Sequence, residues 1–286
     1  MTRRELESLR RMAVQVAGEA AAYLRDRFGL DELLSVVSVH EGDEGMRIDV
    51  EGEKNIMELL KAEGFSGLFL GEEHGLVKLG DEPLVAVVDP LDGSKNYASL
   101  VPWSAVSISI AAIPQAGTPT LRDVLVGAVA PIFPWPVASF ARGLGAYEGG
   151  ARIAPADGSQ ASRLVMAYVE NLDQARAVHA YLRASNGRKS VRALGSASLE
   201  IVWTGFGRAE AFIDVRGRLR VVDVAAALWI AKEAGATVLV ERPAAQLTRV
   251  ERVGSVVVAA PSEHARLSVA RALKEAGFGS LLDSKL

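Results

Sequence analysis

Apolar residues return every three or four positions over residues 4–28. Leu6, Leu9, Met12, Ala13, Val16, Ala20, Tyr23 and Leu24 form the stripe, with charge between them. That period predicts an amphipathic helix, and Gly29 suits its C-cap. Val39–Arg47 (VHEGDEGMR) is polar and contains glycine, which predicts a mobile loop. A second helix is expected from near Asp49 to near Gly64, with Ile56, Leu59 and Leu60 facing inward. The period then changes. Gly67–Leu70 and Leu84–Val88 are apolar runs of strand length, and Ser104–Ile113 alternates Val106, Ile108 and Ile110 against Ser107 and Ser109. Val124–Ala130 and Val137–Ala141 predict further strands, bent apart by Pro131, Pro134 and Pro136, and Gly143–Gly150 predicts a turn with a short strand. From about residue 160, strand and helix alternate. Strands are expected at Leu164–Val169, Glu210–Asp214, Thr237–Val240 and Ser255–Ala260. Helices are expected at Asp173–Ala184, Ser198–Phe206, Asp223–Ala234 (closed by Gly235) and Ser262–Ala276. The pattern predicts an α+β half, residues 1–155, joined to an α/β half, residues 156–286, in one compact unit. The linker-like Ala154-Pro-Ala-Asp-Gly-Ser lies at the junction.

Composition narrows the function. No apolar run approaches the ~20 uncharged residues of a membrane helix, so no membrane partner is expected. Lys plus Arg number 32 against 35 Asp plus Glu, a net charge of −3 that gives no global field for nucleic acid. There is no cysteine, which excludes disulfides, zinc thiolate sites and thiol nucleophiles. His40, His74, His179 and His264 are scattered without helical ligand spacing. Any bound metal must therefore be held mainly by oxygen, which points to a hard cation such as Mg²⁺. The charged amino-terminal segment has no apolar signal core, so a cytoplasmic location is expected. Absence of cysteine with abundant Arg and Ala fits a thermophilic source.

Three segments carry chemistry. In Val87-Val88-Asp89-Pro90-Leu91-Asp92-Gly93-Ser94 a buried strand ends in two carboxylates three residues apart. Asp-Gly-Ser alone would read as an ordinary turn. At a strand end, with Pro90 stiffening the chain, both acids converge. They repel each other unless a cation sits with them. Gly93 permits close backbone approach, its N–H and that of Ser94 can cradle an anion, and Ser94 offers a hydroxyl. In Leu70-Gly71-Glu72-Glu73-His74-Gly75 another apolar strand ends in acids. Adjacent glutamates are usually solvated, but their place beside the first segment brings them toward the same cation. In Arg220-Val221-Val222-Asp223-Val224-Ala225-Ala226-Ala227, Asp223 is a natural N-cap of an alanine-rich helix. Small side chains would let that helix pack closely, aiming its N-terminus and acid at a metal–phosphate site.

Taken together, Gly71–Glu73, Asp89–Ser94 and Asp223–Gly235 resemble the three hallmarks of the inositol monophosphatase superfamily of Mg²⁺-dependent, lithium-sensitive phosphatases. Asp214–Asp223 (DVRGRLRVVD) is similar to its archaeal branch, whose members often hydrolyse both inositol monophosphate and fructose 1,6-bisphosphate. The resemblance implies a layered α/β/α/β/α sandwich of the sugar-phosphatase type, a homodimer, and a role in carbohydrate metabolism such as gluconeogenesis. It implies two or three Mg²⁺ ions per site, with Mn²⁺ as a substitute, held by Glu72, Asp89, Asp92, Asp223 and the Leu91 carbonyl. Glu73 would support a third metal or the attacking water. Asp49 would pair with the Ser94 hydroxyl to activate water, and the Gly93 and Ser94 amides would hold phosphate. Gly195-Ser196-Ala197 matches the substrate-side segment, and Arg192 and Arg216 fall where the archaeal branch contacts sugar phosphate. Val222 and Arg216 replace the Trp and Glu of the inositol-selective branch, which favours a second phosphate on the substrate. The activity so implied is hydrolysis of a small phosphate monoester by metal-activated water. The rival readings are a phosphatase of adenosine 3′,5′-bisphosphate or NADP, and a non-catalytic binding module that has kept the fold.

Overall fold

The computed structural model describes residues 1–40, 43–153, 162–185 and 188–286. The linker-like segment expected at 154–159 lies outside the described residues. Helix α1 (Arg3–Arg25) starts at a capping box. Thr2 Oγ1 accepts from the Glu5 amide and the Glu5 carboxylate accepts from the Thr2 amide. Its buried face is Ala13, Val16, Ala17, Ala20, Ala21 and Leu24, much of the predicted stripe. The helix stops three residues short of the expected end, capped by Asp26, and Gly29 at φ +84° closes the turns that follow.

The expectation of a loop over 39–47 is corrected. Strand β1 (Val36–His40) pairs antiparallel with β2 (Asp43–Met46), and α2 (Arg47–Ala62) begins directly after. Val36, Val37 and Val39 are β-branched and favour the pleated conformation over a loop. Residues 41–42 of that expected loop lie outside the described residues.

The chain then builds a large sheet from β3 (Leu68–Gly71), β4 (Gly75–Lys78) and β5 (Leu84–Asp92). After the single-turn helix α3 (Ser94–Ala98) it adds β6 (Ala105–Ala112), β7 (Val124–Pro131), β8 (Ala138–Ala141), β9 (Gly145–Glu148) and β10 (Ala151–Arg152). The strand order is β10-β9-β8-β7-β6-β5-β3-β4. Only β3 and β5 run parallel; the other neighbours are antiparallel. Thus β3 and β5 end at the same edge, and the acids that follow each strand leave the sheet side by side. All nine residues of β5 are buried, as its continuous apolar run predicts.

The second sheet uses β11 (Leu164–Ala167), then α4 (Leu172–Ala184), β12 (Ser190–Arg192), α5 (Ala197–Gly205), β13 (Ala211–Arg220), α6 (Val221–Glu233), β14 (Thr237–Val240), β15 (Arg252–Ala259) and α7 (Glu263–Glu275). Its order is β12-β11-β13-β15-β14. Strand β13 runs six residues beyond its predicted end, because Leu219 and Arg220 resume pairing with β15 after a register break that follows Asp214.

Five layers result. Helices α1 and α2 cover one face of the first sheet, α5 and α6 lie between the sheets, and α4 and α7 cover the outer face of the second. Helix α6 touches both sheets, and every residue from Val221 to Ala231 is buried. An all-round apolar helix is what a central layer requires. The layered α/β/α/β/α architecture that the resemblance implies is the one observed. Among the described residues no helix is long and apolar enough to cross a membrane.

Candidate active site

The ends of β3, β5 and β13, with the amino ends of α2, α3, α5 and α6, surround a cavity of about 270 Å³. Asp49, Glu72, Glu73, Asp89, Asp92 and Asp223 line it, together with Lys95, Arg216 and Arg220. Six carboxyl groups therefore face three cationic side chains, and the deficit of positive charge is built in.

Asp89 and Asp92 end the fully buried β5. The Asp89 carboxylate accepts from the Leu91 amide at 2.9 Å, which folds the chain so that the two acids approach each other. Burial first, then the charges of Asp92, Asp223 and Glu72, push the Asp89 carboxyl well above the ordinary range. Burial also lifts Asp92 to about 6, against hydrogen bonds that lower it. Those bonds hold the amino end of α5. Asp92 accepts from Ser196 Oγ at 2.6 Å, the Ala197 amide at 3.2 Å and the Ser198 amide at 2.7 Å, and from the Ser198 hydroxyl. A carboxylate of the first sheet thereby caps a helix of the second region.

Gly93 follows at φ +92°, a left-handed conformation that glycine takes without strain. A Cβ there would lie 3.0 Å from the Trp103 carbonyl and 3.1 Å from the Gly195 carbonyl. Ser94 opens α3. Asn96 ties this turn to the second half, donating to the Leu194 carbonyl at 2.6 Å and the Trp103 carbonyl at 2.7 Å.

Asp49 stands in the first turn of α2, not at its cap, and accepts from the Met46 amide at 2.8 Å. Burial, with the neighbouring Glu72 and Glu73 charges, raises it to about 7 despite that bond. Asp49 and Ser94 both line the cavity, and no hydrogen bond joins them among the described residues. The Glu72-Glu73 turn is held from beneath by a residue that sequence reasoning missed. Glu53 is fully buried and accepts from the Glu73 amide at 2.8 Å and the His74 amide at 2.9 Å, and its Oε2 lies 2.8 Å from His74 Nδ1. Its partners are 20 and 21 positions away, so no local pattern marks it.

Asp223 corrects the expectation of an N-cap. Helix α6 starts two residues earlier, Arg220 occupies the cap position, and Asp223 reaches back to accept the Arg220 amide at 2.7 Å. The physical reason is that β13 runs without a loop into α6, so the turn falls at Arg220. The Arg220 guanidinium, also missed, pairs with both oxygens of Glu72 and with Asp223, at 2.9 Å for Nη2 to each carboxylate. Burial alone would lower Arg220; the Asp223 and Glu72 charges outweigh it and raise it further.

Of the expected substrate contacts, Arg216, Gly195 and Ala197 line the cavity. Ser196 is wholly buried with its hydroxyl on Asp92, so it positions a carboxylate. Arg192 lies exposed on the edge strand β12, with Nη1 on the Val191 carbonyl, and is not among the lining residues. Arg216 is set by two acids and a ring. It pairs with Asp214 (Nη2 at 2.7 Å) and Glu170 (Nη1 at 3.1 Å) and lies 4.0 Å over the Tyr168 ring.

The donor set suits a hard divalent cation: carboxylate oxygens from three chain segments, buried enough that burial raises Glu72, Asp89 and Asp92. Among the described residues no three such groups yet converge tightly enough to enclose an ion. Two local causes are visible: Arg220 lies between Glu72 and Asp223, and Asp92 is turned toward α5.

Comparison with known proteins shows the family of the chain. The family model "Inositol monophosphatase family" matches residues 5–276. An inositol-1-monophosphatase of Aeropyrum pernix is 38% identical over 274 residues, covering 93% of this chain and 97% of that protein. A fructose-1,6-bisphosphatase/inositol-1-monophosphatase of Methanothermobacter thermautotrophicus is 29% identical over 237 residues, covering 81% and 84%. A solved inositol monophosphatase–fructose 1,6-bisphosphatase superposes with a TM-score of 0.71 at 24% identity, covering 94% of this chain and 100% of that one, and shares the fold. The chain belongs to the inositol monophosphatase family of phosphatases.

Proposed function

We propose that the enzyme hydrolyses a sugar or inositol phosphate monoester with Mg²⁺ as its cofactor, fructose 1,6-bisphosphate and myo-inositol 1-phosphate being the leading substrates. The observation that carries this reading is the meeting of Glu72, Asp89, Asp92 and Asp223, from three separate segments, beside Gly93 and Ser94 in one cavity. Glu72, Asp89, Asp92, Asp223 and the Leu91 carbonyl would hold the metal. When bound, Mg²⁺ supplies charge neutralisation for the phosphate and acidifies water.

The remaining work falls to the chain. The Gly93 and Ser94 amides bind phosphate oxygens and orient the ester. Asp49, which lines the cavity beside Glu72 and Glu73, would take the proton of the attacking water, directly or through Ser94 Oγ. Glu73 faces the same cavity and supports that water. Arg216, fixed by Asp214, Glu170 and Tyr168, lines the cavity with a guanidinium that would meet the distal phosphate of a bisphosphate. The named activities of the Aeropyrum and Methanothermobacter relatives support both substrates. The test is phosphate release from fructose 1,6-bisphosphate, inositol 1-phosphate, adenosine 3′,5′-bisphosphate and NADP, with Mg²⁺ and with EDTA. Release from either of the first two only with Mg²⁺ is expected; release in EDTA, or none from either, would reject the reading.

A further inference from the structure

Arg220 occupies the carboxylates that a cation would need. Its Nη1 and Nη2 face the two oxygens of Glu72, the latter at 2.9 Å. Nη2 and Nε face Asp223 at 2.9 and 3.2 Å. The Arg220 amide holds the other Asp223 oxygen at 2.7 Å. The side chain is 22% exposed, so the pairing is shielded from water on most sides. The planar fork suits this double bridge in a way an ammonium would not. Arg216, by contrast, is held by Asp214 and Glu170, which do not line the cavity.

A guanidinium in this double bridge and a divalent cation compete for these oxygens. Each lone pair given to an N–H is withdrawn from a metal, and the two positive charges repel at contact distance. The bridge also spans the two halves of the site, since Glu72 follows β3 and Asp223 opens α6, 151 positions later.

We propose that Arg220 is a built-in counter-cation of the unloaded site. It neutralises Glu72 and Asp223 when metal is absent, is displaced from Glu72 on loading, and so weakens metal affinity by competition. This rests on the Mg²⁺-dependent reading above. The benefit to the chain is that clustered acids do not repel one another in the empty protein. The cost is a higher metal concentration for loading, because the ion-pair energy must be given up first.

The experiment uses the full chain and Mn²⁺ as the spectroscopic probe, titrated by electron paramagnetic resonance. Arg220→Gln should bind Mn²⁺ about ten-fold more tightly than wild type, the effect of removing a competing charged hydrogen-bond pair. Unchanged or weaker binding in the variant overturns the inference. A second measurement needs no variant. Modification of wild-type Arg220 by phenylglyoxal, mapped by peptide mass, should rise when Mg²⁺ is added; equal modification with and without Mg²⁺ also overturns it. A wild-type protein that binds no Mn²⁺ would reject the metal reading itself, whereas a Mn²⁺-binding wild type with either negative result rejects only the role of Arg220.

Discussion

The Glu53 carboxylate lies where a side chain on Gly71 would have to go: a Cβ built on Gly71 falls 2.5 Å from Glu53 Oε1. The two residues form the foundation of the Glu72-Glu73 turn. Gly71 lets the carboxylate approach the backbone, and the carboxylate then holds the Glu73 and His74 amides. Glu53→Ala should cost about 2–4 kcal/mol, since two amides lose a charged acceptor in a buried place. Gly71→Ala should displace the same carboxylate and raise the Mg²⁺ concentration for half-maximal activity. Urea denaturation in EDTA and Mg²⁺ titration of phosphate release check the two. A variant pair with wild-type stability and Mg²⁺ requirement would show the turn to be held by other means.

Asp49 and Ser94 are proposed to act on one water. Each single Ala variant should lower kcat far more than it changes KM, and the double variant should be little worse than either single. Steady-state kinetics of the four proteins form the cycle. Losses that multiply would mean that the two residues act on separate steps.

Arg216 is proposed to read a distal phosphate. Arg216→Ala should raise KM for fructose 1,6-bisphosphate about ten- to a hundred-fold, the loss of a charged hydrogen bond of roughly 1.5–3 kcal/mol. Glycerol 2-phosphate hydrolysis should change little. Because Asp214 is almost fully buried, the variant leaves that carboxylate without its guanidinium, so its stability must be measured alongside. Equal losses on both substrates would assign Arg216 to the architecture of the site.

Glu200 gives a pH prediction. Burial raises its carboxyl from 4.5 to about 7, against the bond that Oε1 accepts from the Leu194 amide. A folded-state value above the unfolded one means that the folded protein holds an extra proton between them. That stabilisation is complete below pH 4.5 and is lost as pH rises through about 7. Glu200→Gln keeps an acceptor for the Leu194 amide and cannot ionise. In EDTA, the wild-type melting temperature should therefore fall relative to the variant between pH 5 and 8. Parallel melting curves across that range would contradict the assignment.

The parts of the site that were legible in the sequence are those set by neighbours along the chain. Asp89 and Asp92 share one strand end with a proline between them, and the paired glutamates follow an apolar run. Periodicity gave much of the inward face of α1, and the small alanines after Asp223 gave the close packing of α6. Glu53 was illegible because Glu51-Gly52-Glu53-Lys54 reads as a solvated turn of helix, and its burial depends on the Glu73 and His74 amides folding back over it. Arg220 was illegible for the same reason at longer range, its partner Glu72 being 148 positions away. The β1–β2 pair was read as a loop because Glu41–Gly45 is polar and glycine-containing, while hairpin pairing is set by backbone geometry that composition reports poorly.

Helix α6 acts as a shim. A Cβ on Gly127 of β7 would lie 3.1 Å from Ala226 Cβ, and one on Gly205 of α5 would lie 2.5 Å from Ala231 Cα. Its alanines thus set how closely α6 sits on the first sheet and on α5, and Asp223 rides on its first turn. The distance from Asp223 to the acids of β5 is therefore gauged at positions remote from any reacting atom. A change of side-chain size at Ala226 would move Asp223 relative to Asp89 and Asp92 without altering any residue that lines the cavity.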